Sequence, residues 1–149
     1  MDIQIAFPGG KQVTAQVGDF VIRTDQPAEL GGANSAPAPF DLFLASIGTC
    51  AGLYALGFCQ ARGIPTEGLM LLQSNDMDPT THLLRSVRLD LHLPDGFPEK
   101  YRTAILRAVE GCKVKKTIAG APSFEVAIEA HDDRARAARH EEVARCAGV

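Results

Sequence analysis

A run of 20 uncharged residues, from Leu42 to Ala61, constrains the fold of this chain more than any other feature. Pro39 suits the first turn of a helix, and Gly63-Ile64-Pro65 would end one. The run therefore predicts a single long helix from Pro39 to about Arg62. Because this helix is apolar on nearly every side, it must be enclosed by protein or lie in lipid.

The length of the run also allows a membrane span, since about 20 residues cross a bilayer. Against this alternative, Gly48, Gly52 and Gly57 dilute the run, and no polybasic flank sets an orientation. The N-terminal residues lack the basic start and apolar core of a signal peptide. We therefore expect a buried central helix in a cytoplasmic protein that has no membrane partner.

Composition describes an ordinary globular chain. Its 149 residues fit one domain, and 46% hydrophobic with 22% charged residues is typical of a soluble globule. A net charge of -3 gives no reason to expect a nucleic-acid partner. We predict a single domain over residues 1–130 and a polar tail over residues 131–149, either helical or frayed.

The remaining pattern predicts an α+β fold with mainly antiparallel sheets. Strands are expected at residues 2–7, 12–17, 20–24, 69–73, 84–93 and 124–129, and a second helix from Pro98 to Cys112. One sheet of this size covers only one side of the central helix. The simplest cover for the other side is a second copy of the chain, so we predict a homodimer. Gly48 and Gly52, one turn apart, would allow close approach there.

The chain has four cysteines, and their spacing indicates neither a metal site nor a CxxC redox motif. Cys59 follows Cys50 by nine residues, which places the two thiols on opposite sides of a helix. Cys59 is therefore interpreted as core packing, and Cys146 in the tail as incidental. Cys50 and Cys112 remain as the one plausible reacting pair. The alternative for Cys50 is a small buried packing residue.

Cations near each thiol would favour the reactive thiolate. Cys112 is predicted at the C-terminal end of the second helix, which would raise its pKa, but three lysines follow it and would oppose that effect. A solvated helix end is the alternative explanation for these lysines, which are Lys113, Lys115 and Lys116.

Cys50 lies too far along its helix to be activated by the N-terminal dipole. Arg23, at the end of the third strand, is the candidate cation for it. Asp41, in the first helical turn, could orient that guanidinium through a bidentate contact. The alternatives are an exposed strand end for Arg23 and first-turn capping for Asp41.

The sequence resembles the OsmC/Ohr family of osmotically inducible and organic hydroperoxide resistance proteins, over all but the tail. The resemblance is carried by Gly31-Gly32, Pro37-Ala38-Pro39-Phe40-Asp41-Leu42, Ala45-Ser46-Ile47-Gly48-Thr49-Cys50 and Cys112-Lys113-Val114-Lys115-Lys116-Thr117-Ile118.

The resemblance implies an OsmC-like fold, in which antiparallel sheets wrap a buried central helix, and an intertwined homodimer. It also implies a thiol peroxidase that needs no metal or other cofactor. Cys50 would attack an organic hydroperoxide, and Cys112 would resolve the sulfenic acid as a disulfide. A dithiol reductant, in this family often a lipoyl group, would restore the two thiols.

This chain departs from the pattern of characterised family members at two positions. Phe40 aligns with a family Glu that holds the activating arginine, and the acid here is Asp41, one residue later. Lys113 follows the second cysteine, where a proline is common. The absent Glu motivates an alternative function, which is a non-catalytic dimer that binds a small apolar or thiol ligand in its inter-subunit cavity.

Overall fold

The computed structural model describes residues 1–128, which form an α+β fold with two antiparallel sheets. The first sheet has three strands in chain order, β1 (Gln4–Gly9), β2 (Gln12–Val17) and β3 (Phe20–Thr24). The second sheet pairs β4 (Met70–Met77) with β5 (Leu84–His92). Five of the six predicted strands are present, but β1 is shifted by two residues and β4 continues to Met77 through residues that were predicted to connect two strands. The antiparallel pairing confirms the predicted fold class.

The long uncharged run forms one helix, α1 (Pro39–Gln60), as predicted. Proline occupies its first turn, where a missing N–H leaves no hydrogen bond unmade. The carboxylate of Asp41 accepts a hydrogen bond from the backbone N–H of Ala38 at 3.1 Å and so caps the helix. Gly63 follows the last turn with a φ of +61°, which a residue without a Cβ adopts most readily.

The core lies where α1 packs against β4 and two shorter helices, α2 (Arg102–Glu110) and α3 (Lys113–Ala119). One face of α1 is buried there, and Ile105 of α2 and Cys112 are fully enclosed. The apolar face of β5 supplies Leu89 and Leu91 to the same core, and Leu93, directly after the strand, joins them. The apolar face predicted from the alternation of β5 is thus the face that packs this sheet against the helices.

The prediction of one continuous second helix ending at Cys112 was wrong. A short 3₁₀ turn at Glu99–Tyr101 leads into α2. The helix is interrupted at Gly111, and α3 begins two residues later. Cys112 has an extended ψ of 123°, which ends the helical path and makes this residue the N-cap of α3. A periodic apolar stripe does not reveal such a break, because the side chains on both sides still face the core.

A strand was predicted at residues 124–129, of which the structure describes residues 124–128. These five residues do not form a strand. Residues 124–128 have no regular secondary structure, and Phe124, Val126 and Ile128 are exposed. Glu129 and the predicted tail at 131–149 lie outside the described residues. Large apolar residues occupy every second position over residues 124–128, but within residues 1–128 the segment pairs with no strand.

A single chain covers only one side of α1. Leu53 is 63% exposed, and Phe40, Phe43 and Tyr54 are also exposed. By length and composition alone α1 could cross a membrane, but here it serves as the core helix described above. The first sheet also leaves apolar side chains in solvent, among them Phe7, Phe20 and Val21. The predicted enclosure of α1 on every side is therefore not reached within one chain.

The two glycines expected to permit close packing of α1 differ in their surroundings. A Cβ added at Gly48 would lie 2.6 Å from Oε1 of Gln73 in β4, so this position needs a glycine unless Gln73 moves. A Cβ added at Gly52 would meet nothing within 4 Å. Close approach is thus seen at Gly48, to a strand of the same chain, and not at Gly52.

Candidate active site

Cys50 lies in the middle of α1 and is neither fully buried nor fully exposed. It borders the core cluster on the side of the helix that faces α3. Its thiol thus contacts protein on one side and remains accessible on the other. Partial exposure of this kind is what a reactive thiol needs, since a reagent has to reach the sulfur.

Cys112 is fully buried at the junction between α2 and α3. Gly111 makes this junction narrow, because a Cβ there would lie 3.0 Å from the carbonyl oxygen of Ala108. The same Cβ would lie 3.5 Å from the ring of Tyr54, which follows Cys50 by one turn of α1. The junction therefore packs directly on the part of α1 that carries Cys50.

The structure brings Cys50 and Cys112 together as free thiols. The pKa of Cys50 is lowered, first by hydrogen bonding from the backbone N–H of Val114 and next by the Cys112 side chain. Lys113 lowers the same pKa through its backbone N–H and its positive charge, whereas partial burial raises it. A lowered pKa increases the fraction of thiolate, which is the nucleophilic form of cysteine.

The three lysines after Cys112 have different surroundings. Lys113 is exposed and its charge acts on Cys50. Lys115 is half-buried and lines a groove between α3 and β5, and Lys116 is exposed in the last turn of α3. Because the second helix is interrupted at Gly111, Lys113 is the first residue of α3 and lies beside the thiols. It does not belong to the solvated end of one long helix.

Two cavities border α1 near this site. One has a volume of about 490 Å³ and is mostly apolar, with Ile47, Val87 and Ile118 among its lining residues. Ile47 precedes Cys50 by one turn of α1, and neither Cys50 nor Cys112 is among the residues that line this groove. The other cavity, of about 520 Å³, lies on the β4 side of α1 and is lined by residues that include Asp41, Gly48 and Gln73.

Arg23 and Asp41 are not brought to the thiols within one chain. Arg23 is exposed on β3 opposite Thr14, and it is not among the ion-paired residues of the described region. Asp41 precedes Cys50 by nine residues, so it lies half a turn away, on the opposite side of α1. Its observed contact is the capping hydrogen bond to Ala38, the alternative that the sequence left open. Catalytic roles for Arg23 and Asp41 stay predictions.

Cys59 is fully buried in the core, and burial raises its pKa. Its position across α1 from Cys50 confirms that it packs and does not pair. Among residues 1–128, no group of three or more His, Cys, Asp and Glu side chains could hold a metal ion. Cys146 lies outside the described residues.

Sequence reasoning missed Asp25, the one buried charged residue of the described region. Its carboxylate accepts hydrogen bonds from the backbone N–H groups of Gln26, Ala33 and Ser35 and from the Ser35 hydroxyl. These bonds lower its pKa to about 2, with the Ser35 hydroxyl as the largest cause. By accepting these hydrogen bonds, the carboxylate holds together the loop that connects β3 to α1. An acid at the head of a loop that contains Gly31-Gly32 and Asn34-Ser35 was the available signal.

Comparison with known proteins gives matches to one family and one fold. The family model described as OsmC-like protein matches residues 32–127. A Psychrobacter arcticus structure, described as an osmotic stress induced and detoxification response protein, aligns with a TM-score of 0.66 and 18% identity over 77% of this chain and 85% of that chain. A search of curated proteins gave no match.

Two further solved structures carry organic hydroperoxide resistance in their descriptions. The Legionella pneumophila protein OsmC aligns with a TM-score of 0.51 and 19% identity, over 80% of this chain and 90% of that chain. A Vibrio cholerae protein, with captopril bound in one of its active sites, aligns with a TM-score of 0.53 and 15% identity. The alignment covers 81% of this chain and 86% of that chain. At these identities the structures establish the fold, and the match over residues 32–127 establishes the family. The chain belongs to the OsmC-like protein family.

Proposed function

We propose that this chain is a thiol-dependent hydroperoxide reductase that acts in the cytoplasm through Cys50 and Cys112. The observation that carries the proposal is the contact between a half-exposed thiol of lowered pKa and a buried thiol on a separate element. Membership in the OsmC-like family supports a redox role of this kind. The descriptions of the Legionella and Vibrio proteins support an organic hydroperoxide as the substrate class.

The chemistry follows from the two thiols. The Cys50 thiolate attacks the terminal oxygen of the hydroperoxide, the O–O bond breaks, and the alkoxide leaves as an alcohol after protonation. Cys50 is thereby oxidised to a sulfenic acid while the peroxide is reduced. The Cys112 thiol then attacks this sulfur, releasing water and forming the Cys50–Cys112 disulfide. A dithiol of the lipoyl type completes the cycle by thiol–disulfide exchange, which returns both thiols and oxidises the reductant.

The groove between α3 and β5 supports an organic peroxide over an inorganic one as the substrate. The groove beside Ile47 is mostly apolar, and its volume of about 490 Å³ is in the range of small-molecule pockets. An alkyl or aryl group bound there would pack on Ile47, which lies one helical turn from Cys50. Hydrogen peroxide has no apolar group to bury and would gain nothing from this groove.

A homodimer is part of the same proposal. One chain leaves apolar side chains of α1 and of the first sheet in solvent, including Leu53 at 63% and Phe20 at 76% exposure. Apolar faces of this kind mark interfaces between protein chains. In such a dimer Arg23 and Asp41 could act near a thiol pair, and substitution of either residue tests this through the rate of peroxide consumption.

The decisive experiment is intact mass analysis and peptide mapping of the reduced protein after one equivalent of cumene hydroperoxide. We expect a loss of two hydrogens that maps to a Cys50–Cys112 disulfide. Cys50→Ser should abolish peroxide consumption, and Cys112→Ser should leave Cys50 as a sulfenic acid that a dimedone probe captures. Cys146→Ser is the matched control and should behave like the parent protein. Peroxide turnover in Cys50→Ser equal to the parent would exclude the mechanism.

A non-catalytic binding role is the second candidate. It is favoured by the Vibrio neighbour, whose site holds the thiol compound captopril, and by the absent Glu at Phe40. A Cys50→Ala variant would then bind captopril as the parent does, measured by calorimetry, and added peroxide would consume no thiol. If captopril binding disappears together with the Cys50 thiol, covalent chemistry at Cys50 is the better account.

A further inference from the structure

The groove between α3 and β5 contains two cations in an otherwise mostly apolar lining. Arg85 comes from β5 and Lys115 from α3, and both line the same cavity of about 490 Å³. Within residues 1–128, no Asp or Glu lines this groove. The groove therefore combines apolar surface with positive charge, in a chain whose net charge is -3.

Lys115 is the cation of this groove that has no acidic partner in the described part of the chain. It is half-buried, and it is not among the ion-paired residues there. Partial burial removes some of the water around an ammonium group, which favours an anion as its partner. The neighbouring lysines of α3, Lys113 and Lys116, are exposed and do not line the groove.

Arg85 is held in place by Asp76 of β4. Its Nε donates to one carboxylate oxygen at 3.1 Å, and its Nη2 donates to both oxygens at 3.0 and 2.9 Å. Nη1 carries two further N–H donors, and these make no hydrogen bond to residues 1–128. Asp76 thus orients the guanidinium and balances its charge, while leaving donors that a ligand can use.

The charges of the groove match a ligand with one negative charge. Because Asp76 balances Arg85, the excess positive charge is that of Lys115 alone. The apolar lining, to which Ile47 and Val87 contribute, matches a hydrocarbon group. The other large cavity beside α1 has the opposite charge, since Asp41 is its charged lining residue.

We propose that this groove binds an amphipathic monocarboxylate, whose alkyl or aryl group packs on the apolar lining and whose carboxylate is stabilised by Lys115 and Arg85. The requirement for a negative charge goes beyond the proposed function, which needs only an apolar group in the groove. Binding of such an anion requires neither thiol, so it can be measured without any peroxide.

The test is isothermal titration calorimetry of the reduced protein with decanoate, and separately with decyltrimethylammonium, which has the same alkyl chain and the opposite charge. Decanoate should bind at least about tenfold more tightly, and added salt should narrow the difference. Lys115→Met should weaken decanoate binding about fivefold, the size expected for one partly screened charge pair. Lys115→Arg should bind as the parent does, because it returns the charge. Lys116→Met removes an equal charge from α3 outside the groove and should have no effect.

A second pair of variants locates the binding site. Ile118 lines the groove and is 44% exposed, so Ile118→Asp adds a repelling charge there and should abolish decanoate binding. Leu106→Asp adds the same charge at an exposed position of α2 and should not. Circular dichroism checks that each variant is folded.

Two results would overturn the proposal. One is equal affinity for the two probes or no binding of either, and the other is decanoate binding that Lys115→Met and Ile118→Asp leave unchanged. The proposed function fails separately: Lys115-dependent decanoate binding without a peroxide-induced Cys50–Cys112 disulfide would refute that function alone. Disulfide formation without Lys115-dependent binding would refute this proposal alone.

Discussion

Cys50 and Cys59 lie on the same helix in opposite chemical environments. Hydrogen bonding from Val114 and Cys112 lowers the pKa of Cys50, whereas burial raises the pKa of Cys59. Both thiols belong to the same residue type and to the same helix. The difference arises from what packs on each side of α1, so reactivity at this scale depends on neighbours that are distant in sequence.

We predict that Cys50 is alkylated at least about tenfold faster than Cys59 at neutral pH, because it is both more accessible and more ionised. Peptide-resolved mass analysis of the reduced protein, sampled over time with iodoacetamide, measures both rates together. Unfolding in urea serves as the control and should bring the two rates close together. Equal rates in the folded protein would contradict the environments described here.

Asp25 predicts a pH dependence of stability. Its folded pKa of about 2 lies below the ordinary 3.8, so its stabilising contribution is present above the ordinary value. That contribution is lost as pH falls from about 4 towards 2, because the unfolded chain then binds the proton more readily. Urea unfolding followed by circular dichroism at several pH values should show this loss in the parent protein.

Asp25→Asn should be less stable than the parent at neutral pH and should show a flatter acid profile. An amide NH₂ would face some of the N–H donors that now bind a carboxylate, leaving them unsatisfied. Asp2→Asn, in the exposed N-terminal residues, is the matched control and should keep the parent profile. Identical profiles for Asp25→Asn and the parent would show that the carboxylate does not order the loop.

At the scale of elements, α2 holds the thiol junction through one buried face. Ile105 is fully buried, whereas its neighbour Leu106 is 53% exposed. Ile105→Ala should lower the free energy of unfolding by about 2–5 kcal/mol, because it leaves a cavity in the core. Leu106→Ala should change it by less than about 0.5 kcal/mol. Urea unfolding of both variants gives the comparison, and similar losses would mean that α2 is packed differently.

Helix α1 contains glycines whose replacement should have different effects. Gly52→Ala should stabilise the protein by up to about 1 kcal/mol, since alanine favours a helix and nothing within one chain obstructs its Cβ. Gly48→Ala should gain less, because Gln73 must move and would strain its hydrogen bond to the Leu44 carbonyl. Thermal unfolding ranks the two variants. A reversed order would indicate that a partner chain packs on Gly52.

At the scale of the whole molecule, the proposed dimer gives a further prediction. Leu53→Glu should shift the protein from dimer to monomer, since it would bury an unpaired charge in the interface. Sedimentation velocity and light scattering over a concentration series measure the change. Leu83→Glu alters an equally exposed leucine, 68% against 63%, outside α1 and should leave the dimer intact. A parent protein that is monomeric at every concentration would refute the dimer.

Much of the fold could be predicted because its signals are local. The run from Leu42 to Ala61 predicted α1, alternation predicted β2 and β5 almost to the residue, and a turn at Gly18-Asp19 marked the start of β3. The break at Gly111 could not be seen, since the apolar stripe continues across it to Cys112. The sequence at residues 124–129 favours a strand, but a strand needs a neighbour to pair with, and residues 124–128 have none within the described residues.

The sequence alone determined the fold class, the family resemblance and the choice of Cys50 and Cys112, because periodicity and motif spacing are properties of the chain itself. Only the tertiary structure placed the backbone of Lys113 beside Cys50, showed Asp41 capping α1 through Ala38 and buried the Asp25 carboxylate. These facts depend on which backbone groups and charges meet after the chain has folded. Hydrogen bonding and Coulomb interactions act over a few ångströms in space, whatever the separation along the sequence.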